Sequence, residues 1–216
     1  MRIAVVSEVS AVEKNPDILE ALKPFSHQVF NLGMKRAVDR PELTYIETGF
    51  LGAMLLNLKR VDLVVGGCGT GQGFLNSVMQ YPNVFAGLII EPLDAWLFGQ
   101  INGGNCISLA LNKGYGWAGG VQLRFIFQKL FDVEFGCGYP EHRQASQRQS
   151  REKLQKLSET THLSFQEVLE RVDSEMFRKA ITTPGVAEVL DIENLEDDKL
   201  KKTLIKKCNE VGFGIG

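Results

Sequence analysis

The chain has 216 residues, a formal net charge of -2 and a pI near 6.0, which excludes the basic excess that draws proteins to nucleic-acid phosphates. That length buries one substantial core with a small appendage, and no run of 18 apolar residues is present to cross a membrane. Residues 1–8 read as a first strand rather than a signal peptide, and cysteines 68, 106, 137 and 208 have neither metal-ligand spacing nor the density of a secreted disulfide scaffold; the expected setting is therefore cytoplasmic, with reduced thiols and no bound metal.

Short apolar runs alternate with segments rich in helix formers. Ile3 to Val6, Gln28 to Leu32, Asp62 to Gly66, Phe85 to Ile90 and Cys106 to Leu111 are the candidate strands. Their almost unbroken apolar character suits a parallel sheet covered by helices on both faces, so the expected fold class is α/β, a doubly wound, Rossmann-like parallel sheet. Ligands of such sheets bind beyond the carboxyl ends of the strands. Glu8, Cys68 and Glu91 fall there.

From Gln144 to Lys153 the sequence turns polar and glutamine-rich and reads as an exposed helix. The boundary is set there, between a main domain of residues 1–155 and a helical extension of residues 156–216. In the extension Ser164 and Glu167 form a capping-box pattern, and Leu169, Val172, Met176 and Phe177 recur at helical spacing. Thr183-Pro184 and Asn194 to Val211, closed by Gly212, mark further helices. Amphipathic helices of this kind pack on the core or on a neighbouring subunit.

The third candidate strand runs into Gly66-Gly67-Cys68-Gly69-Thr70-Gly71-Gln72-Gly73, five glycines in eight residues. Glycine allows sharp turns and close approach of backbone to ligand, so several amides can be aimed at one negative charge. Gly73 to Gln80 can open a helix whose N-terminus favours a thiolate over a thiol. Cys68 is thereby placed as a base beside an anion cradle. The phosphate-loop motifs fit poorly: a GxGxxG register from Gly67 meets Gln72, one from Gly69 meets Phe74, and no Lys-Ser or Lys-Thr follows. Phe74 also stands where a cysteine phosphatase needs arginine. Dinucleotide binding stays open through Glu91, placed where a ribose-binding acid would sit. A cysteine at a strand end also serves as a small core residue; the glycines around Cys68 favour the chemical role.

Cys68-Gly69-Thr70-Gly71-x-Gly73 after an apolar strand resembles the ribose-5-phosphate isomerase B family, which includes the galactose-6-phosphate isomerase subunits. The likeness continues through Ala86-Gly87-Leu88, Glu91-Pro92, Ala95, Leu97 and Asn102-x-x-Asn105, with Tyr45 and Asp62 in register upstream, and covers about residues 1–155. The tail resembles a helical extension carried by part of the family. The resemblance implies a cofactor-free aldose–ketose isomerase of a sugar phosphate, in which Cys68 shuttles a proton between C1 and C2 through an enediolate and Thr70 adds a hydroxyl. Substrate contacts are implied for Glu8, Tyr45, Gly69, Gly71, Gly73, Asn102, Lys113 and Arg143. The family residue matching Asn102 often enters the site from the other subunit, which implies a homodimer or dimer of dimers. The chemistry is sound, because a proton beside a carbonyl is acidified once preorganised donors meet the enediolate oxygens.

The chain departs from that pattern at defined places. Ile101 stands where ring-opening members carry histidine, and the family's Asp-His pair after the first strand appears as Glu8-Val9. The first of two paired arginines becomes Tyr139, leaving Arg143, with Lys113, Arg148 and Arg151 as further cations. His27, His142 and His162 read as surface or capping residues, with only His142 near the site. These changes point to a substrate that needs no ring opening, such as a tetrose 4-phosphate, or to use of the open-chain fraction of a pentose or hexose phosphate. The alternative is a non-catalytic sugar-phosphate or nucleotide binding protein, which would keep the anion loop without using a thiolate.

Overall fold

The computed structural model describes residues 1–214. Its strands are β1 (Arg2–Val5), β2 (Gln28–Asn31), β3 (Leu63–Cys68), β4 (Ala86–Ile89) and β5 (Cys106–Ala110), all parallel, in the order β2-β1-β3-β5-β4. All five expected runs are strands. β3 extends past Gly66 because Gly67 and Cys68 keep pairing with Leu109 and Ala110. The chain leaves β1 toward one edge and β3 toward the other, so the switch point, where such sheets bind ligands, lies between the carboxyl ends of these two strands.

Side chains alternate across the sheet. Ile3, Val5, Leu63, Val65, Ile107 and Leu109 are buried beneath α1 (Asn15–Leu22), α4 (Pro92–Leu97) and α5 (Gly119–Phe131). Ala4, Val64 and Cys106 face α2 (Tyr45–Asn57) and α3 (Gln72–Val78). Both faces are dry, which is why the strands read as continuous apolar runs.

Position 155 falls inside α6 (Gln144–Thr161), which carries the chain without a break from the polar segment into the extension. α7 (Phe165–Arg171), α8 (Ser174–Ile181), α9 (Val186–Leu190) and α10 (Asp198–Glu210) follow, with the Ser164–Glu167 capping box in place at α7. These helices pack on α2, not away from it. Every residue of α2 from Glu47 to Leu55 is buried, which a helix lying on a sheet achieves only if something covers its outer side. Phe165 and Phe177 supply the cover, their ring centroids 6.4 and 6.2 Å from that of Phe50. Phe165, Leu169, Phe177, Leu190 and Leu204 belong to the same buried cluster as Ala4 and Val64, and the Arg60 guanidinium donates to the carbonyls of Leu190 and Asp191 at 2.7 and 2.8 Å. No helix among the described residues is long and apolar enough to cross a membrane.

Candidate active site

β3 delivers Cys68 to the carboxyl end of the sheet, 7% exposed at the mouth of the switch point. Its carbonyl accepts the amides of Gly71 at 3.2 Å and Leu111 at 3.0 Å, which folds the loop into a tight turn. Gly71 caps α3 with a φ of 77°, in the left-handed region, and a Cβ there would lie 2.5 Å from Leu88 Cδ1. Only glycine meets both conditions. The Gly71 carbonyl is held by the buried Ser108 hydroxyl at 2.5 Å. Thr70 Oγ1 lies 4.0 Å from Cys68 Sγ and accepts the Gln72 amide at 3.3 Å. The Gly71 and Gln72 amides are therefore committed within the loop, whereas those of Gly69, Thr70 and Gly73 have no acceptor among the described residues. Oriented, unpaired amides beside a thiol are what a developing oxyanion needs. The Gly71 amide and carbonyl both serve to shape the turn.

Tyr45 opens α2, and its ring lies on Gly73, where a Cβ would come within 3.1 to 3.3 Å of the ring carbons. The ring forms one wall of the loop. Glu8 lies at the end of β1, at the same end of the sheet. Its carboxylate is 2% exposed and accepts both the Ser10 amide at 3.0 Å and the Ser10 hydroxyl at 2.5 Å. It caps the 3-10 turn Val9–Lys14. The Ser10 carbonyl in turn accepts the Asn112 side-chain amide at 2.9 Å, and the backbone amides of Asn112 and Lys113 donate to Gly69 O at 2.9 and 3.0 Å. Glu8, Ser10 and Asn112 thus brace the Cys68 loop from the β1 side, with the exposed Lys113 cation beside it. Ser10, Asn112 and Ser108 are additions to the residues expected at this end of the sheet. The Leu111-Asn112-Lys113 run, directly after a strand end, was the available signal for one of them.

Asn102 and Arg143 are elsewhere. Asn102 ends the π-helical turn Phe98–Asn102, just before β5 begins, and is therefore at the amino end of the sheet. Residues 136–138 run along that turn, Gly136 N donating to Gly99 O and Gly138 N to Gln100 O, and they lead into the short helix Glu141–Arg143. This takes His142 away from Cys68 in the same chain, contrary to expectation. Arg151 donates to the carbonyls of Ile101 at 3.1 Å and Gly136 at 2.5 Å, so it braces this end rather than awaiting an anion. A cavity of about 490 Å³ opens here, lined by Met79, Ile101, Asn102, Leu154 and Leu157 among others.

The other thiols are unsuited to proton transfer. Cys106 is wholly buried in β5 and burial pushes its pKa far up, while burial raises that of Cys208 to about 11. Cys137 donates to the Gln100 side-chain oxygen at 2.6 Å at the amino end. His162 is bonded to the Ser158 carbonyl at 3.1 Å at the end of α6, and His27 is packed against Phe131. Among the described residues no group of three His, Cys, Asp or Glu side chains is placed to hold a metal ion.

A model of the ribose/galactose isomerase family matches residues 3–143. Among solved structures, a 4-deoxy-L-threo-5-hexosulose-uronate ketol-isomerase complexed with a tartrate is similar over 97% of this chain and 100% of its own, at 33% identity and a TM-score of 0.91. A ribose-5-phosphate isomerase from Vibrio parahaemolyticus is similar over 96% of this chain and 99% of its own, at 38% identity and a TM-score of 0.90. Both spans take in the helical extension. A type B ribose 5-phosphate isomerase from Trypanosoma cruzi covers 74% of this chain and 97% of its own at 19% identity and a TM-score of 0.61, and shares the fold. No curated protein sequence matches the chain.

Proposed function

The chain belongs to the ribose/galactose isomerase family and is a sugar isomerase; we propose that it moves a proton between neighbouring carbons of an open-chain sugar phosphate, with Cys68 as the base. The observation that carries this reading is the Cys68 thiol at the loop mouth, with Thr70 Oγ1 at 4.0 Å and the amides of Gly69, Thr70 and Gly73 unpaired around it. The Cys68 thiolate takes the proton from the carbon beside the carbonyl. The negative charge moves to the carbonyl oxygen, where those amides receive it, and the Thr70 hydroxyl lies within reach to pass the remaining hydroxyl proton between the two oxygens. Cys68 then returns its proton to the former carbonyl carbon, giving the isomer with no net change in oxidation state and no need of a cofactor.

Lys113, exposed beside the loop, is a cation for the acidic group. Asn102 and Arg143 join the site only from a second copy of the chain, so the active unit is a homodimer, or a dimer of dimers, in which each site takes residues from both copies. The substrate is a soluble metabolite and the enzyme works in the cytoplasm.

A second reading for the acidic group is a carboxylate. With Val9 and Ile101, the chain lacks the side chains expected to open a cyclic sugar. Such a chain suits a substrate that cannot close the usual ring. A 4-deoxy-5-hexosulose uronate, the substrate type in the name of the neighbour at 33% identity, has no hydroxyl at C4 or C5 with which to close one. Ribose 5-phosphate, a hexose 6-phosphate, erythrose 4-phosphate and this uronate, assayed side by side in D2O, decide the matter. Isomerisation of a phosphate with solvent deuterium at the receiving carbon supports the first reading. Turnover of the uronate alone supports the second, and ribose 5-phosphate turnover faster than its spontaneous ring opening refutes the absence of ring-opening groups.

A further inference from the structure

We propose that Lys179, on α8 of the helical extension, is a positioning residue for the active loop: it holds the Glu47 cap that sets the first turn of α2 and keeps the Tyr45 ring on Gly73. The inference rests on the reading of Cys68 as the catalytic base. Glu47 is 8% exposed and divides its two oxygens. Oε2 accepts the Thr44 amide at 2.8 Å and the Thr44 hydroxyl at 2.5 Å, closing the capping box at the start of α2. Oε1 accepts Lys179 Nζ at 3.0 Å from a residue 132 positions away. Tyr45 lies between the two capping residues, so whatever fixes Thr44 and Glu47 fixes the Tyr45 backbone.

Two further contacts connect that turn to the catalytic loop. The Tyr45 ring lies on Gly73, and the Ser77 hydroxyl of α3 donates to the Ile46 carbonyl at 3.3 Å. α3 is the helix that begins directly after Cys68-Gly69-Thr70-Gly71. A mostly buried carboxylate that loses its counter-charge stays desolvated without compensation, and the favoured response is to swing toward water. In doing so Glu47 would release Thr44 and loosen the turn. The charge states agree with the geometry. The hydrogen bond to Glu47 raises the Lys179 pKa; burial alone would raise that of Glu47, but Thr44 and Lys179 outweigh it and hold the carboxyl below its ordinary value.

Tyr45 gives the extension a function at the site without any of its residues touching the substrate. Both neighbours that match almost the whole chain span the extension as well.

The test replaces Lys179 by Met and by Arg and reads two signals. The first, iodoacetamide modification of each cysteine followed by mass spectrometry, needs no substrate. In Lys179→Met, Cys68 should react about three-fold faster or more because the loop opens, while Cys208, buried inside the extension, stays unmodified. Lys179→Arg should restore the native rate. The second is turnover of whichever sugar the native enzyme isomerises: kcat should fall about ten-fold in Lys179→Met with KM changed less than two-fold, since misplacement of the base raises the barrier more than it weakens binding. If Lys179→Met does not fold, Glu47→Gln, which keeps the side-chain size and loses the ion pair, must give the same selective rise. Equal Cys68 rates in all folded variants overturn the proposal, and so does joint labelling of Cys68 and Cys208, which would mean general loosening. An enzyme inactive on every sugar offered would count against the isomerase substrates above and leave the cysteine readout standing.

Discussion

Cys68 and Cys106 give a paired test of which thiol does the chemistry. Removing a general base costs a factor of about 10² to 10⁴ in rate, or about 2.7 to 5.4 kcal/mol of barrier, so Cys68→Ala should lose that much in kcat. Cys68 is 7% exposed at the loop mouth, and loss of its sulfur should cost about 1 kcal/mol of stability. Cys106 is 0% exposed and pairs with Val64 in mid-sheet. Cys106→Ala leaves a small void there, costing about 1 to 2 kcal/mol, or about 2 to 8 °C in melting temperature for a chain of this size. Its kcat at 25 °C should stay within about two-fold of native, because a thiol whose pKa burial pushes so high holds no thiolate near neutrality. The measurements are kcat from NMR detection of product in D2O and melting by circular dichroism. Cys68→Ala retaining a tenth of native turnover refutes the assignment, as does a folded Cys106→Ala that has lost it.

Gly71→Ala should cost about 1 to 2 kcal/mol for its left-handed backbone, with more from the contact with Leu88, and should lower kcat about 100-fold by shifting the loop; native kinetics would contradict the turn geometry. Phe177→Ala empties a fully buried site against Phe50 and should cost about 3 to 5 kcal/mol. Urea unfolding followed by circular dichroism should remain a single transition, because sheet and extension share one core; a separate early transition would make residues 156–216 an independent unit. His27 has both ring nitrogens buried without a partner, and burial, then the N-terminal ammonium, lowers its pKa. It is therefore neutral in the fold, and the stability this gives is present above the unfolded value near ~6.5 and is lost as pH falls through the folded value. His27→Leu should be about 1 to 2 kcal/mol more stable at pH 7 and lose less stability on acidification to pH 5, by thermal melts at both values. Finally, mixing Cys68→Ala with Asn102→Ala, each inactive alone, should restore about a quarter of native activity if sites are shared across a two-fold dimer, since half the dimers carry one intact site; no restoration would mean the site lies within one chain.

The strands were legible because a sheet dry on both faces leaves no polar alternation to confuse with a helix period, and Gly71 because only glycine takes its backbone. The order of β4 and β5 was not legible: nothing local marks that β5 enters between β3 and its predecessor. The hydrogen bonding of Glu8 was not legible for a related reason. A carboxylate after a strand can face a ligand or cap the next turn, and the Ser10 hydroxyl that decides between them is an unremarkable residue in sequence. Cover over α2 had a signal, an apolar face running right round Thr48 to Leu55, whereas the Lys179–Glu47 pair spans 132 positions and has none.

Asn102 and Arg143 are instructive because the resemblance assigns them to the same site as Cys68, whereas in a single chain they lie at the other end of the sheet. In a parallel sheet, strand length sets the separation of its ends. β3 and β5 have six and five residues, which at about 3.3 Å each puts roughly 17 to 20 Å between the amino and carboxyl ends. No rotamer closes that gap. If all of these residues serve one reaction, the carboxyl end of one sheet must meet the amino end of another, and a two-fold axis that achieves this once achieves it twice. The cavity of about 490 Å³ beside Asn102, with Ile101, Leu154 and Leu157 in its lining, then lies at the end of the sheet that would meet the second copy. With Cys68 as the proposed base, the reacting groups lie within each chain, whereas the groups that would recognise the far end of the substrate depend on how two chains meet.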